Sequence, residues 1–209
     1  MIFALIILYV ITLVYMSVTE RFRTYARIIG LQGWILLAVA LLRLHTVNIP
    51  EMLFIVTETL VFKAVIVPML LYRIIRRNKI DRIAGAGASQ FGSLLGSMLA
   101  LAASVTVTYL VADNSTDMLF FGAALYALLS GLVLITRRKR IFAHMVGFLI
   151  IENGVFLFSM AIGVHMPILI NIAILLDILI SVLMLGMFIT RLGERLHTDD
   201  TDALTRIKD

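Results

Sequence analysis

The sequence predicts an all-α fold, a polytopic transmembrane helical bundle of about seven spans. Hydrophobic residues fill 61% of the 209 positions and charged residues only 15%, whereas soluble domains have about 45–50% and about 25%. The mean hydropathy is +1.04, and the apolar residues fall into runs of about 20, the length that crosses a bilayer. Lipid is therefore the expected solvent of this chain.

Each predicted span is one such apolar run. The runs are 2–19, 27–45, 52–72, 90–112, 118–136, 141–163 and 168–190. The first run has no basic leader and ends at charged residues, so it is interpreted as a retained span and not as a signal peptide. Gly92 and Gly96 give the fourth run a small face, which is typical of helices that pack closely in lipid.

The basic residues predict the orientation. Sixteen of the 18 lysines and arginines fall in the connections after the first, third, fifth and seventh runs. Because lysine and arginine collect on the cytoplasmic side, the N-terminus is expected outside and the C-terminus in the cytoplasm of a prokaryotic cell. The net charge of +5 is thereby explained by topology, and nucleic acid is not an expected partner.

An internal repeat predicts how the spans are grouped. The segment 23–30 is echoed by 140–147, and a proline follows each final glycine by twenty residues, at Pro50 and Pro167. The expected organisation is two parallel three-helix units joined by a linking span. Its boundaries are 1–76 for the first unit, 77–115 for the linking loop and fourth span, 116–195 for the second unit and 196–209 for a cytoplasmic tail. The alternative is that apolar spans resemble one another by composition alone.

Four ionisable residues lie well inside the predicted spans: Glu58, Lys63, Glu152 and Asp177. Such groups cost a few kcal/mol or more in the membrane and usually face a pathway or a partner. Glu58 and Lys63 are five positions apart, about 140° around an α-helix, so each is expected to meet another helix or internal water. The alternative is that these charges only hold helices together.

Carboxylates and a lysine suit an ion path, because burial brings their pKa values towards neutrality. The predicted proton or ion pathway therefore consists of Glu152, Asp177, Lys63 and Glu58. Supporting roles are expected for a proline that loosens the third span and for polar side chains that extend the hydrogen bonds: Pro68, Gln32, His144 and Asn153.

Several chemistries are not expected in this chain. It has no cysteine, which excludes disulfides, thiolate metal sites and cysteine-bound iron–sulfur clusters within it. The sequence shows no nucleophile–base arrangement, phosphate-binding glycine loop or metal-ligand spacing. The chain is therefore expected to have no catalytic, cofactor or metal site of its own.

The segments 145–154, 176–185 and 63–68 and the tail 202–208 resemble the membrane subunit family called hydrogenase-4 component E. More distantly, the last three spans are similar to the K subunit of respiratory complex I and the C subunit of multi-subunit sodium/proton antiporters. Asp177 matches an acid of the K-subunit proton path. Glu152 departs from that pattern, since after alignment on Gly147 it falls three residues later than the middle-helix acid.

The resemblance implies a non-catalytic subunit of a membrane-bound group 4 nickel–iron hydrogenase or a formate hydrogenlyase. It implies antiporter-like membrane subunits and a peripheral hydrogenase arm as partners, which would carry the nickel–iron centre and the iron–sulfur clusters. Proton or sodium translocation is the implied function. Two alternatives stay open, a scaffold that docks other membrane subunits and an independent transporter.

Overall fold

The computed structural model describes residues 1–43, 53, 56–77, 90–111, 117–138, 141–162 and 186, which are helical apart from short connections. The predicted all-α class is confirmed for this part of the chain. The seventh predicted run, 168–190, lies outside the described residues except for Gly186. In chain order the helices are α1 (Ile2–Val18), α2 (Phe22–Arg43), a π-helix (Glu58–Ile66), α3 (Val67–Arg77), α4 (Gln90–Val111), α5 (Met118–Arg137) and α6 (Ile141–Ile162).

Four of the described helices, α2, α4, α5 and α6, are long and apolar enough to cross a membrane. Helix α1 is apolar but shorter, with 17 residues, or about 26 Å at 1.5 Å per residue. These helices are compatible with a membrane protein, because each presents the apolar length that a bilayer requires.

Two helix boundaries differ from the predictions. Helix α2 begins at Phe22 and not at 27, and helix α3 continues to Arg77, beyond the predicted end at 72. In both cases the helix includes arginines that were assigned to a connection. Arginine is a good helix former, and its long side chain reaches the polar interface from inside a helix end. Ending a span at its first basic residue therefore made it too short.

An ion pair joins α2 to α5 at one end of the bundle. Arg43 Nη1 at the end of α2 lies 3.0 Å from Asp117 Oδ2, and the guanidinium also lies 4.3 Å from the centre of the Phe120 ring. Asp117 is the N-cap of α5, where its side chain accepts from the backbone N–H groups of Leu119 and Phe120. One carboxylate thus both caps α5 and fixes the end of α2.

Arg138 joins the connections at the opposite end. Its side chain is buried, and Nη2 donates to the carbonyl oxygens of Ser17 and Thr19 at 3.5 and 3.4 Å. Its own carbonyl oxygen accepts a hydrogen bond from His144 Nε2 at 2.7 Å. The α1–α2 and α5–α6 connections therefore lie at the same end of the bundle, which is called the basic end below.

Helices α5 and α6 form a close hairpin. A Cβ atom at Gly131 would lie 2.7 Å from the Gly147 carbonyl oxygen, and one at Gly147 would lie 2.9 Å from the Gly131 carbonyl oxygen. Only glycines permit this backbone approach. The hairpin positions the middle of α6, which carries the candidate site.

Helix α4 packs its small face on α5 and leaves its other side open. A Cβ atom at Gly96 would lie 3.1 Å from a methyl group of Val133, while large residues of α4 such as Phe91, Leu99 and Tyr109 are exposed. Only 22% of the apolar 18-residue stretch of α4 is buried. The open side is suited to lipid or to another membrane helix.

Candidate functional site

A buried ion pair joins the π-helix to α6. Lys63 Nζ lies 2.5 Å from Glu152 Oε1, and the two side chains are 7% and 14% exposed. The same ammonium lies 4.4 Å from the centre of the Phe156 ring. Phe156 follows Glu152 by four residues, so the carboxylate and the ring share one face of α6. Lys63 is thus held by both a negative charge and an aromatic face.

Burial makes the charges of Lys63 and Glu152 depend on each other. Moving an ion out of water costs several kcal/mol, which direct pairing offsets in part. Removing one partner leaves an uncompensated charge and typically costs about 3–5 kcal/mol.

The π-helix places Lys63 against α2 at an unusually short backbone distance. A Cβ atom at Gly33 would lie 2.7 Å from the Lys63 carbonyl carbon and oxygen and 2.8 Å from the Ala64 nitrogen. Pro68 follows the π-helix by two residues and has no N–H to donate to the carbonyls of Ala64 or Lys63. The wider winding and the glycine contact together set where the lysine side chain leaves the helix. π-winding is rare in proteins, and here it extends over nine residues.

A chain of amide and hydroxyl groups crosses the bundle beside the ion pair. Asn153 Nδ2 donates to Gln32 Oε1 at 3.2 Å, and Gln32 Nε2 donates to Thr12 Oγ1 at 3.0 Å. Thr12 Oγ1 then donates to the Tyr9 carbonyl oxygen at 2.6 Å. Gln32 is fully buried and Asn153 is 3% exposed. This amide chain links α6, α2 and α1, and it begins at the residue next to Glu152.

Tyr9, whose backbone carbonyl ends this chain, has a side-chain hydroxyl without a described hydrogen bond. The side chain is fully buried, and its oxygen has no hydrogen-bond partner among the described residues. The Glu152 charge is close enough to act on it electrostatically.

The structure brings together four of the predicted site residues. Lys63 and Glu152 form the ion pair, and Gln32 and Asn153 form the central hydrogen bond of the amide chain. Gln32, Lys63 and Asn153 are buried, and Glu152 is partly exposed. The amides do not titrate, so they orient the site and do not themselves carry charge.

The other predicted residues are placed differently. His144 lies eight residues before Glu152 in α6, about 12 Å along the helix axis, and its described hydrogen bond is to Arg138 at the basic end. Pro68 is buried with its ring against Gly30. Asp177 and the side chain of Glu58 lie outside the described residues.

Sequence reasoning did not single out Tyr9, Thr12, Gly33 or Phe156. For Phe156 a signal was present, since it stands four residues after Glu152 on the same helical face. Tyr9 and Thr12 lie in α1, whose apolar pattern gives no sign of which face meets α2. Gly33 follows Gln32 directly, and only the packing of α2 on the π-helix shows why a side chain is excluded there.

Within the described ranges, no group of three or more His, Asp or Glu side chains is placed to hold a metal ion. The described site consists of an ion pair between two helices and a row of hydrogen-bonded amide and hydroxyl groups beside it. Such an arrangement can take up, hold and release a proton or a small cation.

No family model matches the chain. It is similar to Rv0085, an uncharacterized protein of Mycobacterium tuberculosis, with 25% identity over 194 residues that cover 90% of this chain and 86% of the relative. No solved structure matches. The name of this relative states no activity, so the function has to be argued from the residues of the site.

Proposed function

We propose that this chain is a membrane subunit of a redox-driven, proton- or sodium-translocating complex of the group 4 hydrogenase type. The observation that supports this most is the contact of Lys63 with Glu152, two ionisable side chains from separate helices that are at most 14% exposed. Ionisable groups inside a membrane are costly and usually belong to an ion path. The resemblance to hydrogenase-4 component E supplies the type of complex.

In the proposed path, a proton that reaches Glu152 converts its carboxylate to a neutral acid. Lys63 then loses its counter-charge and gains more from another carboxylate, for which Asp177 and Glu58 are the candidates. When the ammonium returns, Glu152 releases its proton to the next acceptor. One proton passes Glu152 in each cycle, and the charges of the site are restored.

The proposed setting is the prokaryotic cytoplasmic membrane, crossed by about seven spans in two parallel three-helix units. The N-terminus would lie outside and the C-terminus in the cytoplasm. The shared position of the α1–α2 and α5–α6 connections supports this topology, because both carry clustered arginines. Antiporter-like subunits and a peripheral arm with the nickel–iron centre would be the partners, and this chain would have no catalytic role.

Substitutions that remove charge while keeping shape test the proposal. Glu152→Gln and Asp177→Asn are expected to reduce proton translocation in membrane vesicles to a small fraction of the wild-type rate. Electron transfer to an artificial dye is expected to stay largely unchanged, because the redox centres lie in other subunits. Glu20→Gln is the matched control, since it removes an acid outside the span interiors and is expected to leave translocation intact.

A scaffold without an ion path is the second candidate. It is favoured by a specific observation, the amide chain that binds three helices with every described donor satisfied. In that case Glu152→Gln and Asp177→Asn would either break the assembled complex or change nothing. Native gels of the mutant membranes separate the two functions, because the ion-path proposal requires intact complexes with reduced translocation.

A further inference from the structure

An open groove lies between α1, α4 and α5, in the half of the bundle that contains the Arg43–Asp117 pair. Its volume is about 460 Å³, and sites that hold small organic ligands usually have about 300–1,000 Å³. Its walls come from residues 6–11 of α1, 101–109 of α4 and 118–126 of α5. It is called the α1–α4–α5 groove below, and its size makes it a candidate binding site.

The chemistry of the lining favours an apolar occupant. Among the described residues that line the groove, none is charged. Its buried hydroxyl groups already have partners inside the protein. Ser104 Oγ donates to the Leu101 carbonyl oxygen at 2.8 Å, and Thr108 Oγ1 donates to the Ser104 carbonyl oxygen at 2.7 Å. The Tyr126 hydroxyl is bonded to Ser97 Oγ at 2.7 Å. A charged or polar group that entered the groove would lose its own hydrogen bonds without replacement, which is costly.

The shape of the groove favours a flexible chain over a helix. Its floor includes the small residues Gly122 and Ala123, whereas large side chains that are 41–76% exposed form its rim: Ile7, Ile11, Val105, Tyr109 and Met118. Membrane helices associate where small residues let their backbones approach closely, and a rim of large residues opposes that approach. The stretch 101–109 is about 12 Å long, less than half of the roughly 30 Å hydrocarbon core. A hydrocarbon chain needs neither a smooth rim nor a full-length contact.

We propose that the α1–α4–α5 groove is a binding site for one hydrocarbon chain of a membrane phospholipid. The bound chain covers apolar surface of α4, which has few contacts of its own, and joins that helix to α1 and α5. Recognition depends on the chain and not on the headgroup, because the lining has no charge with which to select a headgroup. The lining includes no residue of the π-helix or α6, so this proposal stands independently of the ion-path function.

Photo-cross-linking of the unmodified full chain tests the position of the site. The probe is a phosphatidylcholine with a diazirine in one acyl chain, added at low ratio to the purified protein in detergent. Cross-links are expected to concentrate in 6–11, 101–109 and 118–126. Unlabelled phosphatidylcholine and phosphatidylglycerol with the same acyl chains are expected to compete equally well. The proposal is overturned if labels spread evenly over the exposed helix faces, or if only phosphatidylglycerol competes.

A pair of variants on α4 tests whether the groove itself holds the chain. Val105→Trp places a large ring in the groove and is expected to lower the affinity for the probe about tenfold, since excluding two methylene groups already has about that effect. Val107→Trp is the matched control, because Val107 is similarly exposed, at 39% against 46%, and lies outside the lining. Equal cross-linking of the two variants at every probe concentration would contradict the proposal.

Discussion

Lys63 shows how strongly one side chain depends on its neighbours inside a bundle. Its ammonium contacts the Glu152 carboxylate and the Phe156 ring, and it is almost fully withdrawn from the surface. Neither an unpaired lysine nor an unpaired glutamate is tolerable at that depth without a large cost. The contribution of Lys63 and Glu152 to stability therefore has to be measured for the pair and not for each residue alone.

A double-mutant cycle measures this dependence. Lys63→Met alone is expected to lower the free energy of unfolding by about 3–5 kcal/mol, since it strands the Glu152 charge. Adding Glu152→Met should recover most of that loss, because an apolar pair of similar volume needs no compensation. Denaturant unfolding in detergent gives the free energies of unfolding of Lys63→Met, of Glu152→Met and of the double variant. If the two single losses simply add in the double variant, the charges do not interact as described.

Tyr9 and Thr12 allow a second comparison within one helix. Tyr9→Phe removes a hydroxyl that has no described partner, so stability is expected to stay the same or to rise. Thr12→Val breaks the amide chain and leaves Gln32 Nε2 without that acceptor, with an expected loss of about 1 kcal/mol. Denaturant unfolding in detergent compares the free energies of unfolding of Tyr9→Phe and Thr12→Val. An equal loss of stability in both variants would contradict the assigned hydrogen bonds.

The π-helix matters because its winding determines where Lys63 points. Nine residues wind as a π-helix directly before Val67 and Pro68, and the backbone of Lys63 lies on Gly33. An α-helical projection of the same residues would turn the lysine to a different angle. The geometry of this element therefore controls whether the ion pair forms.

Gly33→Ala tests whether the close contact of α2 with the π-helix fixes the position of Lys63. The new methyl group would lie 2.7 Å from backbone atoms of Lys63, which cannot move as a flexible side chain does, so a loss of about 1–3 kcal/mol is expected from overpacking. Gly96→Ala is the matched control, because its methyl group would meet only a methyl group of Val133, at 3.1 Å. Equal stability of the two variants would show that the approach of α2 to the π-helix is not tight.

The elements also show how far the sequence could be interpreted. The apolar runs predicted the described helices to within a few residues, and rare buried charges identified Lys63 and Glu152 as candidates. The contact between them was not predicted, because it depends on π-winding and on which faces of distant helices meet. The places of Tyr9 and Thr12 were missed for a related reason, since α1 is apolar on all sides.

At the scale of the whole molecule, two contacts at opposite ends define the bundle. Arg43 and Asp117 join α2 to α5 at one end, and Arg138 joins two connections at the basic end. In the proposed orientation the basic end faces the cytoplasm, as the positive-inside rule expects for clustered arginines. The proposed orientation is therefore open to direct measurement.

Single-cysteine labelling is well suited to this chain because it has no native cysteine. Ser115→Cys is expected to react with a membrane-impermeant maleimide on intact cells. Asn78→Cys is expected to react only after the cells are permeabilised, because the connection after the third predicted span is proposed to face the cytoplasm. Labelling of position 78 in intact cells, with position 115 protected, would reverse the proposed orientation.

The central claim is that the Glu152 carboxyl group changes protonation while ions cross the membrane. Isotope-edited infrared difference spectroscopy of the intact complex during turnover observes this change most directly. The account predicts a carboxylic acid band that appears on turnover in the wild type and is lost in Glu152→Gln. A wild-type spectrum in which no carboxyl band depends on Glu152 would contradict it.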